Sequence, residues 1–186
     1  SEAMESVLRQ LTRVSGAPVP VLILGESGTG KALAARTLHV FSSRCEQPFV
    51  AVDCGALSPQ LMEGQLFGHD GRTGDSQAGH LERAEGGTLF LGEISEMPVP
   101  LQLRLARAME TGAFTRMGSS RVRRMDVRVL ASTNRDPARA AHAGLLHDDL
   151  YYQLDACPLS LPPLRDRHGD AVLLARHFLR SEEHTS

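Results

Sequence analysis

The sequence predicts an α/β fold, a parallel sheet covered by helices on both faces. Three observations predict it. Short apolar runs bounded by turn residues alternate along the chain with segments of helical spacing. Those runs are continuously apolar rather than alternating, as expected for strands buried on both faces. And the first of them leads directly into a glycine-rich segment that ends in lysine, followed by strong helix formers.

The elements follow in order. Met4, Val7, Leu8, Leu11 and Val14 recur at helical spacing and open the chain with an amphipathic helix, which Gly16, Pro18 and Pro20 break. Val21 to Leu24 is short and turn-bounded, a buried strand. Residues 32–39 carry no Gly or Pro and read as helix. Phe49 to Asp53 is a second strand. Residues 58–66 read as a helix with Ser58 as N-cap, Pro59 in the first turn, and Leu61 and Met62 facing inward. Residues 68–80 are Gly-rich and polar, a loop. Strands follow at 88–91 and 127–132, with a helix at 100–109 stopped by Gly112 between them. Residues 138–146 are weakly helical, 159–161 a short fifth strand, and 170–179 a final helix. The elements divide into an α/β core at 1–168 and a C-terminal segment at 169–186.

Composition excludes several function classes. The 186 residues suffice for one good-sized core, and 41% hydrophobic with 23% charged residues fits a globular domain. A net charge of -2 gives no basic field for nucleic acid, and 4% aromatic residues with no Trp leave no base-stacking platform. Cys45, Cys54 and Cys157 form no CxxC pair and no cluster with histidine, so they read as the reduced thiols of a cytoplasmic protein. No apolar run reaches membrane-spanning length, no signal-peptide pattern opens the chain, and both ends read as cut from something longer.

Gly25-Glu26-Ser27-Gly28-Thr29-Gly30-Lys31 after an apolar strand is the pattern of a phosphate-binding P-loop. Glycines let backbone N–H groups turn toward one anion, the next helix points its positive end at it, and Lys31 brings an ammonium to the outer phosphates. Glu26 and Ser27 matter less to such contact than the backbone amides. Ala32 stands where many P-loops place a magnesium-ligating Ser or Thr.

Further motifs follow in order: Leu66-Phe67-Gly68-His69, Gly86-Gly87-Thr88-Leu89-Phe90-Leu91, Ala131-Ser132-Thr133-Asn134-Arg135, Asp149-Leu150-Tyr151-Tyr152 and Leu161-Pro162-Pro163-Leu164-Arg165-Asp166-Arg167. With the P-loop they resemble the AAA+ central domain of bacterial enhancer-binding proteins, the ATPases that activate sigma-54 RNA polymerase. The resemblance covers nearly the whole chain. It implies a P-loop NTPase-type nucleotide-binding core at 1–168 that binds ATP or ADP at residues 25–32, with 169–186 the start of a helical lid or a frayed C-terminal tail, ring-like homo-oligomers with nucleotide between subunits, and DNA contact only through a domain outside this chain.

The chain also departs from that family's pattern. The family ends its Leu-Phe-Leu strand in Asp-Glu; here the pair is Gly92-Glu93, so the metal's carboxylate is missing, magnesium has weak support, and no metal ligand is assigned. Glu93 is either a solvated strand-end carboxylate or the residue that orients the attacking water. Asp53 replaces an Asn that would hold that glutamate, and a carboxylate there would repel it. His147 and Gln153 occupy the two arginine-finger positions. Arg135, Arg139, Arg165 and Arg167 read as surface charges or sheet-end ion pairs. The sigma-contacting Gly-Ala-Phe-Thr-Gly-Ala loop is reduced to remnants at Gly71, Thr73 and Gly74, with no Phe and with Arg72 near its place. Asn134 is either a γ-phosphate sensor or a cap on the turn after its strand. The resulting expectation is a nucleotide-binding regulatory domain with hydrolysis and sigma-54 remodelling weak or lost. A working ATPase and a nucleotide-free oligomerisation module are the alternatives.

Overall fold

The computed structural model describes residues 1–71 and 74–170. Helix α1 (Glu2–Ser15) precedes β1 (Val21–Leu24), α2 (Lys31–Val40), β2 (Phe49–Asp53) and α3 (Pro59–Phe67). A short antiparallel pair, β3 (His69–Asp70) and β4 (Ser76–Gln77), leads to α4 (His80–Arg83) and β5 (Thr88–Gly92). Then come α5 (Val99–Thr111), the hairpin β6 (Ala113–Thr115) and β7 (Val122–Arg124), β8 (Arg128–Thr133), α6 (Pro137–His142), α7 (Asp148–Leu154) and β9 (Pro158–Ser160).

The central sheet runs β2-β5-β8-β1-β9, every pair parallel. Its strands are the apolar runs of the sequence, and each face carries its own core. On one face Val7, Leu11, Ala35 and Leu38 of α1 and α2 pack on Ile23, Phe90 and Leu130. On the other, Met62, Leu66, Leu101, Leu105 and Leu150 of α3, α5 and α7 pack on Leu22, Leu89, Leu91 and Val129. The predicted three-layer architecture is therefore found. No helix among the described residues is long and apolar enough to cross a membrane.

Several expectations need correction. The stretch 68–80 is not plain loop. His69 pairs with Gln77 and Asp70 with Ser76, and the Asp75 carbonyl accepts from the Gly71 N–H at 2.7 Å. Leu61 is exposed while Met62 beside it is buried, because Leu61 lies on the outer side of α3. Ser58 is the N-cap residue, yet its hydroxyl bonds Gln60 Oε1 instead of a helix N–H. The strand expected at 127–132 runs Arg128–Thr133, and the one at 159–161 runs Pro158–Ser160. The weak helix at 138–146 is shorter, Pro137–His142, capped by the Asp136 carboxylate accepting from the Arg139 N–H. The helix expected at 170–179, the lid segment beyond it, and Arg72 and Thr73 lie wholly or largely outside the described residues.

Candidate functional site

Parallel sheets place their sites beyond the carboxyl ends of the strands, where order reverses. Here β1 enters between β8 and β9, and the 25–31 loop leaves its end. Gly28 (φ 78°) and Gly30 (φ 95°) are left-handed, so the loop turns back on itself at a conformation other residues adopt at a cost. Thr29 holds the turn through its hydroxyl to the Glu26 carbonyl at 2.8 Å. A Cβ on Gly25 would lie 2.7 Å from Thr29 Oγ1 and 3.2 Å from Leu161, so that position has no room for a side chain. The N–H groups of Ser27, Gly28 and Gly30 meet no acceptor among the described residues. Helix α2 begins at Lys31 with its own first amides unpaired, so donors and helix dipole converge on one spot.

Lys31 is 9% exposed, and its ammonium is triply held: to the carbonyls of Gly25 at 2.9 Å and Glu26 at 3.2 Å, and to Glu93 Oε1 at 3.0 Å. Glu93 has φ 51° and ψ 58°, the single left-handed non-glycine among the described residues. Such a backbone costs of order 1 kcal/mol or more and turns the chain sharply off the end of β5. Its other oxygen accepts from the Asn134 N–H at 3.0 Å. Glu93 is thus fixed between the lysine and the end of β8, not a free solvated carboxylate. Asn134 contributes its backbone to this arrangement while its residue stays exposed.

A cavity of about 610 Å³ opens beside this loop. It is lined by Ser27, Gly28, Gly30, Lys31 and Ala32 from the loop and α2, and by strand-end residues that include Asp53, Gly92 and Glu93. Gly25, Glu26, Thr29 and Asn134 do not line it: the first three shape the loop from behind. Asp53 is exposed and accepts from the Gly55 N–H at 2.9 Å through Oδ1. Beneath, burial first and then the charges of Asp53 and Glu93 push the Cys54 thiol up to about 12, so it is un-ionised and inert at neutral pH.

Two contacts were not foreseen. Glu26 pairs with Arg165 fork to fork, at 2.6 and 2.8 Å. Arg167, read as a surface charge or a sheet-end ion pair, is instead 8% exposed and donates to the Thr29 carbonyl at 2.7 Å and the Pro162 carbonyl at 2.8 Å. The chain after β9 is therefore a strap across the back of the glycine-rich loop. The Leu161–Arg167 run was visible in the sequence, but not what its arginines grip. Arg135 pairs with Glu96 in the open and Arg139 is exposed, as expected.

His147 caps α7: its Nδ1 accepts from the Asp149 N–H at 3.1 Å. Its own N–H donates to Gln102 Oε1 at 2.7 Å, and the buried Gln102 amide also donates to the Met97 and Leu145 carbonyls. Gln153 is half-buried near Met109 and Val127.

Comparison with known proteins agrees with this architecture. The family model described as "Sigma-54 interaction domain" matches residues 1–160. The chain is 48% identical over 181 residues to the sigma54-dependent transcriptional activator SfnR of Pseudomonas putida, covering 95% of this chain and 50% of that protein. It is 45% identical over 187 residues to the DNA-binding transcriptional regulator NtrC of Rhizobium meliloti, covering 98% of this chain and 39% of that one. The chain thus spans half or less of the length of these relatives. Among solved structures, NtrX from Brucella abortus in complex with ATP superposes with a TM-score of 0.90 at 33% identity, over 97% of this chain and 41% of that chain. On fold, motif order and these matches, the chain belongs to the sigma-54 interaction domain family of transcriptional activators, an AAA+ P-loop domain.

Proposed function

We propose that this domain binds ATP or ADP in the cavity beside the glycine-rich loop and works as a nucleotide-responsive part of a transcriptional regulator, turning nucleotide over slowly. The observation that carries the reading is the loop itself. Unpaired amides, left-handed glycines, the start of α2 and the Lys31 ammonium all converge on one cavity. The structurally similar NtrX was crystallised with ATP and with ADP, which supports the choice of nucleotide. In this reading Ser27, Gly28, Gly30, Lys31 and Ala32 face the phosphates, Gly25, Glu26 and Thr29 shape the loop behind them, Glu93 is the residue nearest the attacking water, and Asn134 acts as sensor from the end of β8 through its bond to Glu93.

Slow turnover follows from what the remaining positions carry. An arginine finger stabilises charge on the transferred phosphoryl group and is worth on the order of 10³ to 10⁵ in rate. His147 and Gln153 stand at those positions, and His147 is engaged as a helix cap. The segment that would touch sigma-54 joins the paired strands β3 and β4, and its sequence is short and polar with no aromatic anchor for a partner. Ring-like homo-oligomers in the cytoplasm, with DNA engaged by another domain of the regulator, complete the reading.

Calorimetric titration with ATP and ADP, paired with steady-state phosphate release, tests it. Saturable heat with little turnover is expected. Turnover comparable to an ordinary AAA+ ATPase, abolished by Lys31→Ala, would overturn slow hydrolysis. No heat with either nucleotide would overturn binding.

A further inference from the structure

Magnesium normally accompanies a triphosphate in a P-loop site, held by one or two hard oxygen ligands, the phosphates and water. Two positions that would supply such oxygen have none here: Ala32 follows Lys31, and Gly92 ends β5. At Gly92 the space for a side chain is still open. A Cβ there would meet nothing nearer than 3.6 Å, and 3.7 Å away it would touch the Cα of Asp53.

That neighbour is the last register partner of Gly92. Strands β2 and β5 run parallel, and Asp53 lies directly opposite Gly92. Paired positions in adjacent strands share a face and sit about 4.8 Å apart. The face is that of α1 and α2, because Phe90, two residues before Gly92, packs in their core. Val52 and Leu91, just before this pair, lie in the opposite core, as does Cys54 just after Asp53. Asp53 and Gly92 both line the cavity that holds Lys31.

The donor set also favours Asp53 over Glu93. Both Glu93 oxygens are engaged, one by Lys31 and one by the Asn134 N–H. Asp53 uses only Oδ1, on the Gly55 N–H, and Oδ2 has no partner among the described residues. A carboxylate oxygen without a partner, on a residue that lines the cavity, has the chemistry that a hard divalent cation takes.

We propose that Asp53 supplies the metal-shell carboxylate for a magnesium nucleotide at this site, directly or through a bound water: the ligand has moved one strand sideways, from the end of β5 to the end of β2. This rests on the nucleotide-binding reading above and specifies its cofactor. It also accounts for Asp53 and Gly92 as one paired change that keeps two carboxylates at this end of the sheet.

The competing role for Asp53 is only to hold the turn through Gly55. Asp53→Asn separates the two, because an amide oxygen keeps that hydrogen bond while the charge is removed. ATP affinity of the full chain is measured by calorimetry in magnesium and in EDTA. The wild type is expected to bind at least about tenfold more tightly with magnesium, the scale on which metal-site groups act. In Asp53→Asn the ratio between the two buffers falls toward one. In Asp53→Asn combined with Gly92→Asp it returns, since the open position takes the side chain. A ratio in Asp53→Asn equal to the wild type, or a wild-type ratio of one, overturns the proposal while leaving nucleotide binding intact. No binding in either buffer removes the nucleotide reading itself, and this proposal with it. Asp53→Ala serves as the second variant, with melting temperature as the check on folding.

Discussion

Lys31 and Glu93, which both line the cavity, form an ion pair, Nζ to Oε1 at 3.0 Å, and the same ammonium is bonded to two carbonyls of its own loop. The lysine therefore has to exchange partners before it can reach a phosphate. Glu93→Gln removes the competing anion and keeps the side-chain shape. Its expected effect is tighter ADP binding in metal-free buffer, about 3- to 10-fold, corresponding to an ion pair of roughly 1 kcal/mol. Calorimetry measures it, and weaker binding in the variant would contradict it.

The two arginines of the strap are predicted to differ. Arg165 and Glu26 are both largely exposed, so solvent screens their attraction, and Arg165→Ala is expected to leave the melting temperature nearly unchanged. Arg167 is buried with two carbonyl partners. Arg167→Ala strands both and is expected to cost about 2–3 kcal/mol and to loosen the Thr29 turn behind the phosphate loop. Urea denaturation and nucleotide titration of the two variants side by side check this.

Arg116 bonds Asp70 at 2.8 Å and Glu82 through two nitrogens at 2.7 and 2.8 Å, tying β3 and α4 to the β6–β7 hairpin. Hydrogen bonding to the guanidinium holds Asp70 down to about 2 and Glu82 below its ordinary value. Carboxylates with depressed values stabilise the fold above their unfolded values and lose that contribution as pH falls through the folded ones. The stability difference between wild type and Arg116→Gln should therefore be constant above about pH 5 and shrink as pH falls toward about 2. Urea midpoints across that window measure it.

Arg128, at the start of β8, is 3% exposed and donates to the carbonyls of Val14, Ser15 and Val19. It closes the end of α1, whose last carbonyls have no helical partner. Burial pulls its guanidinium below the ordinary value, yet it remains charged. Arg128→Met keeps the aliphatic length and strands the carbonyls. A loss of about 3 kcal/mol is expected by urea denaturation.

What the sequence disclosed depended on how local each signal is. The apolar runs became the five parallel strands, and the glycine spacing with its lysine became the loop at the end of β1, because each rule acts over a few residues. The β6–β7 hairpin was missed because its second strand, Val122–Arg124, is charged, and Val122 is exposed on it. Helix α7 was missed because it is seven residues long and starts on a histidine cap. Leu61 misled because helical spacing alone does not say which side of a short helix is covered. The grip of Arg167 on Thr29 spans 138 residues, and the pairing of Asp53 with Gly92 depends on strand order. Neither is written in any window of sequence.

The cap on α7 has an evolutionary corollary. Under the proposed reading, where the family's pattern has guanidinium this chain has an imidazole, and its lone pair starts a helix. Guanidinium has no lone pair to give. Reinstating arginine at residue 147 would leave the Asp149 amide without its acceptor, so under the proposed reading the altered finger is entrenched by a local chore it has since acquired. Descendants of this chain would find the route back to fast turnover uphill at its first step.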